Sequence, residues 1–222
     1  MSDAATTPEP RTPSLPRLNE PAPDFTALTT QGTISLRDYR GRWVVLFSHP
    51  ADFTPVCSTE FMAFAKQADA FGQRDAQLIG LSIDSVHAHL AWLRDLEEMG
   101  GVEVPFPVIA DLDMKVAHAF GMIHPSASQT AAVRAVFLID PEGILRGMLY
   151  YPLSVGRSIP EILRFLDALR FNDEQGMSTP ADWRPGDPAI VSAPKTMAEV
   201  RADDPAKYHE FRRWYLRLDE AA

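Results

Sequence analysis

Between Trp43 and Gln73 the sequence changes its hydrophobic period, and that change restricts the fold more than any other feature. Trp43-Val-Val-Leu-Phe-Ser48 is a continuous apolar run of strand length, as expected for a strand buried on both faces. From Thr54 onward, Phe61, Phe64, Ala65, Ala68 and Phe71 recur at helical spacing, which predicts a helix over about 55–73. Ala76 to Ile83 reads as a second buried strand, and Ser85 as the cap of a helix whose inner face holds Leu90, Leu93 and Leu96. Strand, helix, strand, helix in that order implies parallel crossovers under covering helices.

Upstream, the segments 25–30 and 33–36 flank Gln31-Gly32, a hairpin signal. Downstream, 106–109 is a short strand and 111–120 a short helix ending at Gly121. The runs 133–139 and 144–151, joined through Asp140-Pro-Glu-Gly143, form a second hairpin. Ser158-Ile-Pro-Glu161 has the spacing of a capping box and opens a helix with Ile159, Ile162, Leu163, Leu166 and Leu169 on one stripe. The order β-α-β-α, then β-β-α, predicts an α/β protein of the thioredoxin-like fold, with an N-terminal hairpin and a C-terminal extension.

Three regions follow. Residues 1–17 read as a solvated, disordered tail, since six prolines occur by Pro23 without an apolar core. Residues 18–171 form the main domain. Residues 172–222 carry four prolines between Pro180 and Pro194 and a final amphipathic segment over 205–218. They hold too few apolar residues for a core of their own, so they pack on their own domain or on another subunit. A chain that is 45% hydrophobic and 23% charged suits a globular protein with a sizeable core. The net charge of −9 disfavours nucleic acid and anionic membrane as main partners. No apolar run approaches the roughly 18 residues of a spanning helix, and no secretory signal is evident, so a cytoplasmic location is expected.

Cys57 is the single cysteine of the 222 residues, which rules out a disulfide within the chain and fits a reducing compartment. With Thr54 as N-cap and Pro55 as the first helical residue, Cys57 becomes the third. Unpaired N–H groups and the positive end of the helix dipole then face the sulfur, favouring the thiolate. A lone cysteine is more often a small buried hydrophobe. Here it lies off the apolar stripe of its helix and follows the carboxyl end of a buried strand, where open α/β sheets bind ligands.

The segment PADFTPVC, with Pro50, Thr54 and Cys57, resembles the active-site signature of the peroxiredoxins. Three further blocks resemble the one-cysteine, Prx6-like branch of that family: Gly121 to Gly143, Tyr151 to Arg157, and Asp182 to Asp187. The resemblance spans about 18–196. It implies that Cys57 attacks a peroxide oxygen and becomes a sulfenic acid, that Thr54 and Pro50 shape the pocket, and that Arg134 pairs with the sulfur and the bound peroxide. Thr54 also reads as a cap alone. Arg157 matches a second family arginine and is equally readable as a salt-bridge partner. His49 reads either as an edge of the substrate pocket or as a core histidine bonded to backbone. Glu60 reads as an anchor for Arg157 or a nearby loop, or as a surface carboxylate. With no second cysteine, an outside thiol must act as reductant, either a small thiol or a thioredoxin- or glutaredoxin-type protein. No metal or organic cofactor is expected. The partner expected through the extension is a second copy, giving a homodimer, with a ring of dimers as the larger form. The G-D-S-W stretch of phospholipase-active members is replaced by Arg40-Gly41-Arg42-Trp43, so that activity does not carry over.

Three rivals remain. A cysteine hydrolase or acyltransferase would use His49 as base but lacks a recognisable oxyanion hole. A binding or holdase scaffold would have no use for Thr54 and Arg134. A metal site at His87 and His89, with His118 and His124 elsewhere, fails because residues two apart do not share a helix face; solvated histidines suffice.

Overall fold

The apolar run at Trp43 forms a strand with every residue buried, and the sheet is built outward from it. The computed structural model describes residues 15–220, so the tail expected over 1–17 lies outside the described residues apart from its last three. The chain divides between Arg157 and Ser158 into two compact units, ahead of the helix that the sequence pattern assigns to the main domain. In the first unit the strands are β1 (Thr26–Thr29), β2 (Gly32–Ser35), β3 (Trp43–Ser48), β4 (Ala76–Ser82), β5 (Val108–Ala110), β6 (Arg134–Ile139) and β7 (Leu145–Tyr151). Its helices are α1 (Pro55–Lys66), α2 (Ala68–Gly72), α3 (Val86–Gly100) and α4 (Lys115–Ala119).

The strands make one sheet in the order β2-β1-β5-β4-β3-β6-β7. β3 pairs in parallel with β4, and β4 with β5, as the crossovers require; β6 runs antiparallel to β3 and to β7. Alternation along β3 sends its residues to opposite faces. Val44 and Leu46 join a core that includes Phe120 and Phe137. Phe47 instead stacks on Phe64 at 4.0 Å between ring centres and meets Phe61 and Phe106 edge-on. That aromatic group seats α1 on the sheet, directly after the turn at the end of β3.

The structure departs from the sequence pattern in four places. The helix expected over 55–73 breaks at Gln67, whose N–H turns back to the Phe64 carbonyl; the chain restarts as α2 with Phe71 buried. Ser85 does cap α3, accepting from the Ala88 N–H. The buried stripe, however, is His89, Trp92 and Leu96, while Leu90 is exposed. The helix expected over 111–120 starts only at Lys115, because the Asp111 carboxylate takes the N–H groups of Val116 and Ala117 and replaces the first turn. Ser158 occupies the N-cap of the next helix without a side-chain cap, and Glu161, which would return the second bond of a capping box, instead accepts two bonds from Arg164, each 2.7 Å.

The second unit holds α5 (Ile159–Gln175), β8 (Ala189–Ile190), α6 (Met197–Ala202), β9 (Glu210–Arg213) and β10 (Leu216–Asp219). α5 buries Ile159, Ile162, Leu163, Leu166 and Ala168 and ends at Gly176, whose φ of 65° only glycine adopts without penalty. The amphipathic segment over 205–218 forms the β9–β10 hairpin, and β10 also pairs with β8. Buried Arg217 anchors it through Asp203 at 2.9 Å and the Tyr208 hydroxyl at 2.7 Å.

Candidate active site

Cys57 is the third residue of α1, as expected, and is fully buried. Thr54 has the extended backbone of an N-cap, but its side chain does not cap the helix. Its hydroxyl donates to the Ala51 carbonyl at 2.9 Å, inside the turn that follows β3. The Ser58 N–H is the first of the helix to bond back, to the Thr54 carbonyl at 3.0 Å. The N–H groups of Val56 and Cys57 therefore receive no oxygen from the Thr54 side chain. Half-buried Pro50 opens this turn, and Phe53 within it holds φ at 54°, a strained value for a bulky residue. The Phe53 ring is exposed, and its neighbour Asp52 is buried.

Because β6 runs antiparallel to β3, its first residue, Arg134, lies beside the last residues of β3. The join is tied by Ser48, whose hydroxyl donates to the Val133 carbonyl and accepts from the Ala135 N–H. The Arg134 guanidinium is thus delivered to Cys57 across 77 residues of sequence: Nη1 donates to Sγ at 3.2 Å. The same Nη1 donates to Glu60 Oε2 at 2.7 Å, and Nε donates to the Leu153 carbonyl at 2.9 Å.

Glu60 lies one helical turn beyond Cys57 and is buried, which excludes the surface reading. It holds both arginines. Arg157 donates to Oε1 from its backbone N–H and Nε, at 2.8 and 2.9 Å, and to Oε2 from Nη2 at 2.8 Å. Its Nη1 donates to the carbonyls of Ser48 and Ala135, at 2.8 and 2.9 Å, joining β3 to β6. The guanidinium also lies over the rings of Phe47 and Phe64. Burial pushes Arg157 down from its usual range, and the Glu60 carboxylate pulls it back up. Of the two readings of Arg157, the structure displays the salt bridge.

His49 is fully buried, and its ring packs against Phe61 and Trp92. Its Nε2 bonds Asp52 Oδ1 at 2.8 Å rather than backbone, which corrects the core alternative in its detail. Asp52 Oδ2 bonds His89 Nδ1 at 2.7 Å, and His89 Nε2 donates to the Ile109 carbonyl at 3.1 Å. His89 is buried, so the reading of it as a solvated histidine is wrong; the Ser85 cap fixes the helix phase that turns it inward. The signal was present, because His89, Trp92 and Leu96 follow the three- and four-residue helical spacing. Asp52 had no such signal. Exposed His87 and His118 join no cluster of metal-ligating groups among the described residues. The atoms with metal-ligand chemistry that do gather are those of His49, Asp52 and His89, within 4.8 Å. Each residue of that trio already spends a ligand atom on hydrogen bonding inside the trio, so a cation would have to displace those bonds.

Acid should weaken the fold in two stages. Burial holds His49 below its ordinary value, so the unfolded chain binds a proton near pH 6.5 that the folded one refuses, and stability falls as pH drops below about 6.5. Burial pushes Asp52 up, but hydrogen bonds from His49 and His89 outweigh it and hold the carboxyl below its usual range. That contribution is intact above about pH 4 and is lost as pH falls through the lowered value. Urea midpoints measured from pH 8 to 3 should show both declines, with the first absent in His49→Phe.

Comparison with known proteins agrees with the geometry. The sequence model of the AhpC/TSA family matches residues 18–148, more than half of the chain, and that of the C-terminal domain of 1-Cys peroxiredoxin matches 168–203. The chain belongs to the AhpC/TSA family, the peroxiredoxins, and to its one-cysteine, Prx6-like branch. It is a thiol-dependent peroxidase with a thioredoxin-like fold. It is 55% identical over 187 residues to "Peroxiredoxin 2" of Caldanaerobacter subterraneus, covering 84% of this chain and 85% of that one. Among solved structures it is similar to a yeast mitochondrial 1-Cys peroxiredoxin, studied for its thiol resolving mechanism via glutathione/thioredoxin systems. That match has a TM-score of 0.82 and 40% identity over 92% of this chain and 99% of the other. A cysteine-to-serine mutant of peroxiredoxin 6 from Arenicola marina matches with a TM-score of 0.81 and 36% identity, over 93% and 98%.

Proposed function

We propose that Cys57 is the peroxidatic residue and that hydrogen peroxide and small organic hydroperoxides are its substrates. The observation that carries this reading is the Arg134 Nη1 contact to Sγ at 3.2 Å, shared with Glu60. Two buried guanidiniums and one buried carboxylate leave one positive charge over, and a thiolate at Cys57 balances it. The thiolate attacks one peroxide oxygen, the S–O bond forms as the O–O bond breaks, and the other oxygen leaves as water or alcohol after taking a proton. Arg134 and the first-turn N–H groups of α1 face the charge that develops on the leaving oxygen. Thr54, its hydroxyl proton already given to Ala51, has oxygen lone pairs free to accept from the peroxide. Pro50 closes the turn against water. Arg157 acts at one remove, by holding the Glu60 carboxylate that positions Arg134. His49, the residue before Pro50, is assigned to the edge of the substrate pocket.

Reduction of Cys57-SOH then requires an external thiol, which forms a mixed disulfide and releases water; a second thiol frees the sulfur. A small thiol or a thioredoxin- or glutaredoxin-type protein is the reductant, a class supported by the glutathione/thioredoxin systems named for the yeast relative. A homodimer through 172–222 is the proposed assembly, with a ring of dimers as the larger form. No helix among the described residues is long and apolar enough to cross a membrane, and a cytoplasmic site of action is proposed.

Rapid mixing of reduced protein with hydrogen peroxide, followed by tryptophan fluorescence and mass spectrometry, tests the assignment. Oxidation far faster than that of free cysteine, with a single oxygen added at Cys57, is the expected result. Arg134→Lys should slow it by about 10²–10³, since the ammonium lacks the Nε bond to Leu153 that aims Nη1 at both sulfur and carboxylate. Wild-type oxidation at the rate of an ordinary thiol would sink the reading.

A further inference from the structure

The second unit contains a buried polar cluster that the peroxidase reading does not use. Along β10 Arg217 is the buried residue, and it meets Asp203, the C-cap of α6. Arg217 Nη1 donates to Asp203 Oδ1 at 2.9 Å and to the Tyr208 hydroxyl at 2.7 Å, while Nη2 donates to the Ser192 carbonyl. The Tyr208 hydroxyl donates to Asp203 Oδ1, and its ring lies 4.8 Å below the guanidinium. The two charged side chains are therefore locked, and they are only 5% and 7% exposed. Their charges are paired, but their hydrogen bonds are incomplete. Arg217 Nε and Asp203 Oδ2 are buried without a hydrogen-bond partner among the described residues. One is a donor that keeps its proton, the other an acceptor with free lone pairs. Each carries the desolvation cost of an unmade bond. Both residues line the same recess, of about 480 Å³. Val191, Ala193, Pro194 and Ala202 give it a wall of small apolar groups. Lys195 and Glu199 add one charge of each sign, so the lining is neutral in sum.

We propose that this recess binds a neutral small molecule through a carboxamide, whose carbonyl accepts from Arg217 Nε and whose NH₂ donates to Asp203 Oδ2. The sense of the two unmade bonds selects that class. An anion on Arg217 would face the Asp203 carboxylate, and a metal ion or an ammonium on Asp203 would face the guanidinium. A hydrocarbon would fit the apolar wall but leave both bonds unmade. A carboxamide carries an acceptor and a donor on neighbouring atoms and no charge, so it completes both residues at once. Its short alkyl part then lies on the wall of Val191, Ala193, Pro194 and Ala202. An extended peptide is a poorer fit, because strand addition needs open backbone groups. The Val191 N–H already donates to the Arg217 carbonyl at 3.0 Å, the Ser192 carbonyl is taken by Arg217, and Pro194 has no N–H. All these residues belong to the second unit, so the inference stands apart from the assignment of Cys57.

Proton–nitrogen NMR of the full-length protein, titrated with propionamide, tests the site. Propionate and propylammonium serve as charged probes of nearly the same outline. The Arg217 Nε–H signal should shift saturably with propionamide, with the weak affinity expected of so small a ligand. Either charged probe should bind at least about tenfold more weakly, because each leaves one of the two bonds unmade and sets like charges together. Where solvent exchange hides the Nε–H signal, the backbone N–H signals of Val191 and Ala193 report the same event. Ala202→Leu fills the recess from an exposed position on α6 without touching the polar cluster, and it should abolish the shift. Should that variant fail to fold, the ranking of the three probes on the wild type decides. The proposal is overturned if propionamide moves none of these signals, in which case ordered water is the partner of both atoms. Equal shifts with all three probes overturn it too, as does a shift that survives in folded Ala202→Leu. The rate of Cys57 oxidation bears on neither outcome, so this site and the peroxidase reading stand or fall separately.

Discussion

Cys57→Ser is expected to fold like the parent and to lose peroxide reduction completely. The substitution trades sulfur for oxygen in the same position, so Arg134 Nη1 still finds an acceptor where Sγ stood at 3.2 Å. Thiolate reactivity does not survive the trade. The thiolate is the form of cysteine that attacks peroxide, and a serine hydroxyl supplies no comparable nucleophile. Arg134 keeps its bond to Glu60 Oε2, so stability should fall by no more than about 1–2 kcal/mol. Peroxide consumption with a thiol reductant, measured beside thermal unfolding, checks both halves. Turnover above the protein-free background in the folded variant would transfer the chemistry away from Cys57.

Glu60→Gln should do the opposite, keeping the nucleophile and damaging everything that holds it. Glu60 receives four bonds from two buried arginines. The amide offers a single oxygen, and its NH₂ group is turned against guanidinium N–H groups that need an acceptor. Two buried cations are left without a carboxylate, a loss of about 3–5 kcal/mol. At about 2–4 °C per kcal/mol for a chain of this length, the midpoint of thermal unfolding should drop by roughly 10 °C. Arg157 Nη1 also ties β3 to β6, so the damage extends to the strand pair that delivers Arg134 to the sulfur. Oxidation of Cys57 should slow together with the loss of stability. A variant that keeps both the melting temperature and the oxidation rate would show that the arginines need no carboxylate between them.

The two residues differ in how visible they are in sequence. Cys57 could be singled out because it is unique, starts a helix and follows a buried strand. Glu60 could be placed one turn away, but nothing in the spacing of α1 says that its partners stand 74 and 97 residues downstream. Arg134 was linked to Cys57 by the family resemblance alone, since the spacing between them says nothing of contact. The antiparallel pairing of β6 with β3 brings the two together. Thr54 shows the limit of local rules. Its position as N-cap follows from the sequence and its backbone obeys, yet its hydroxyl donates to the Ala51 carbonyl in the preceding turn instead of capping the helix.

Periodicity, turn residues and a single cysteine therefore determined the order of strands and helices, the start of α1 and the identity of the nucleophile, because each depends on neighbours within a turn or two. The paired arginines on Glu60 and the inward histidine of α3 were decided only in the tertiary structure. Burial removes water as a partner, so each charged or polar group there must find its complement wherever the sheet order brings one.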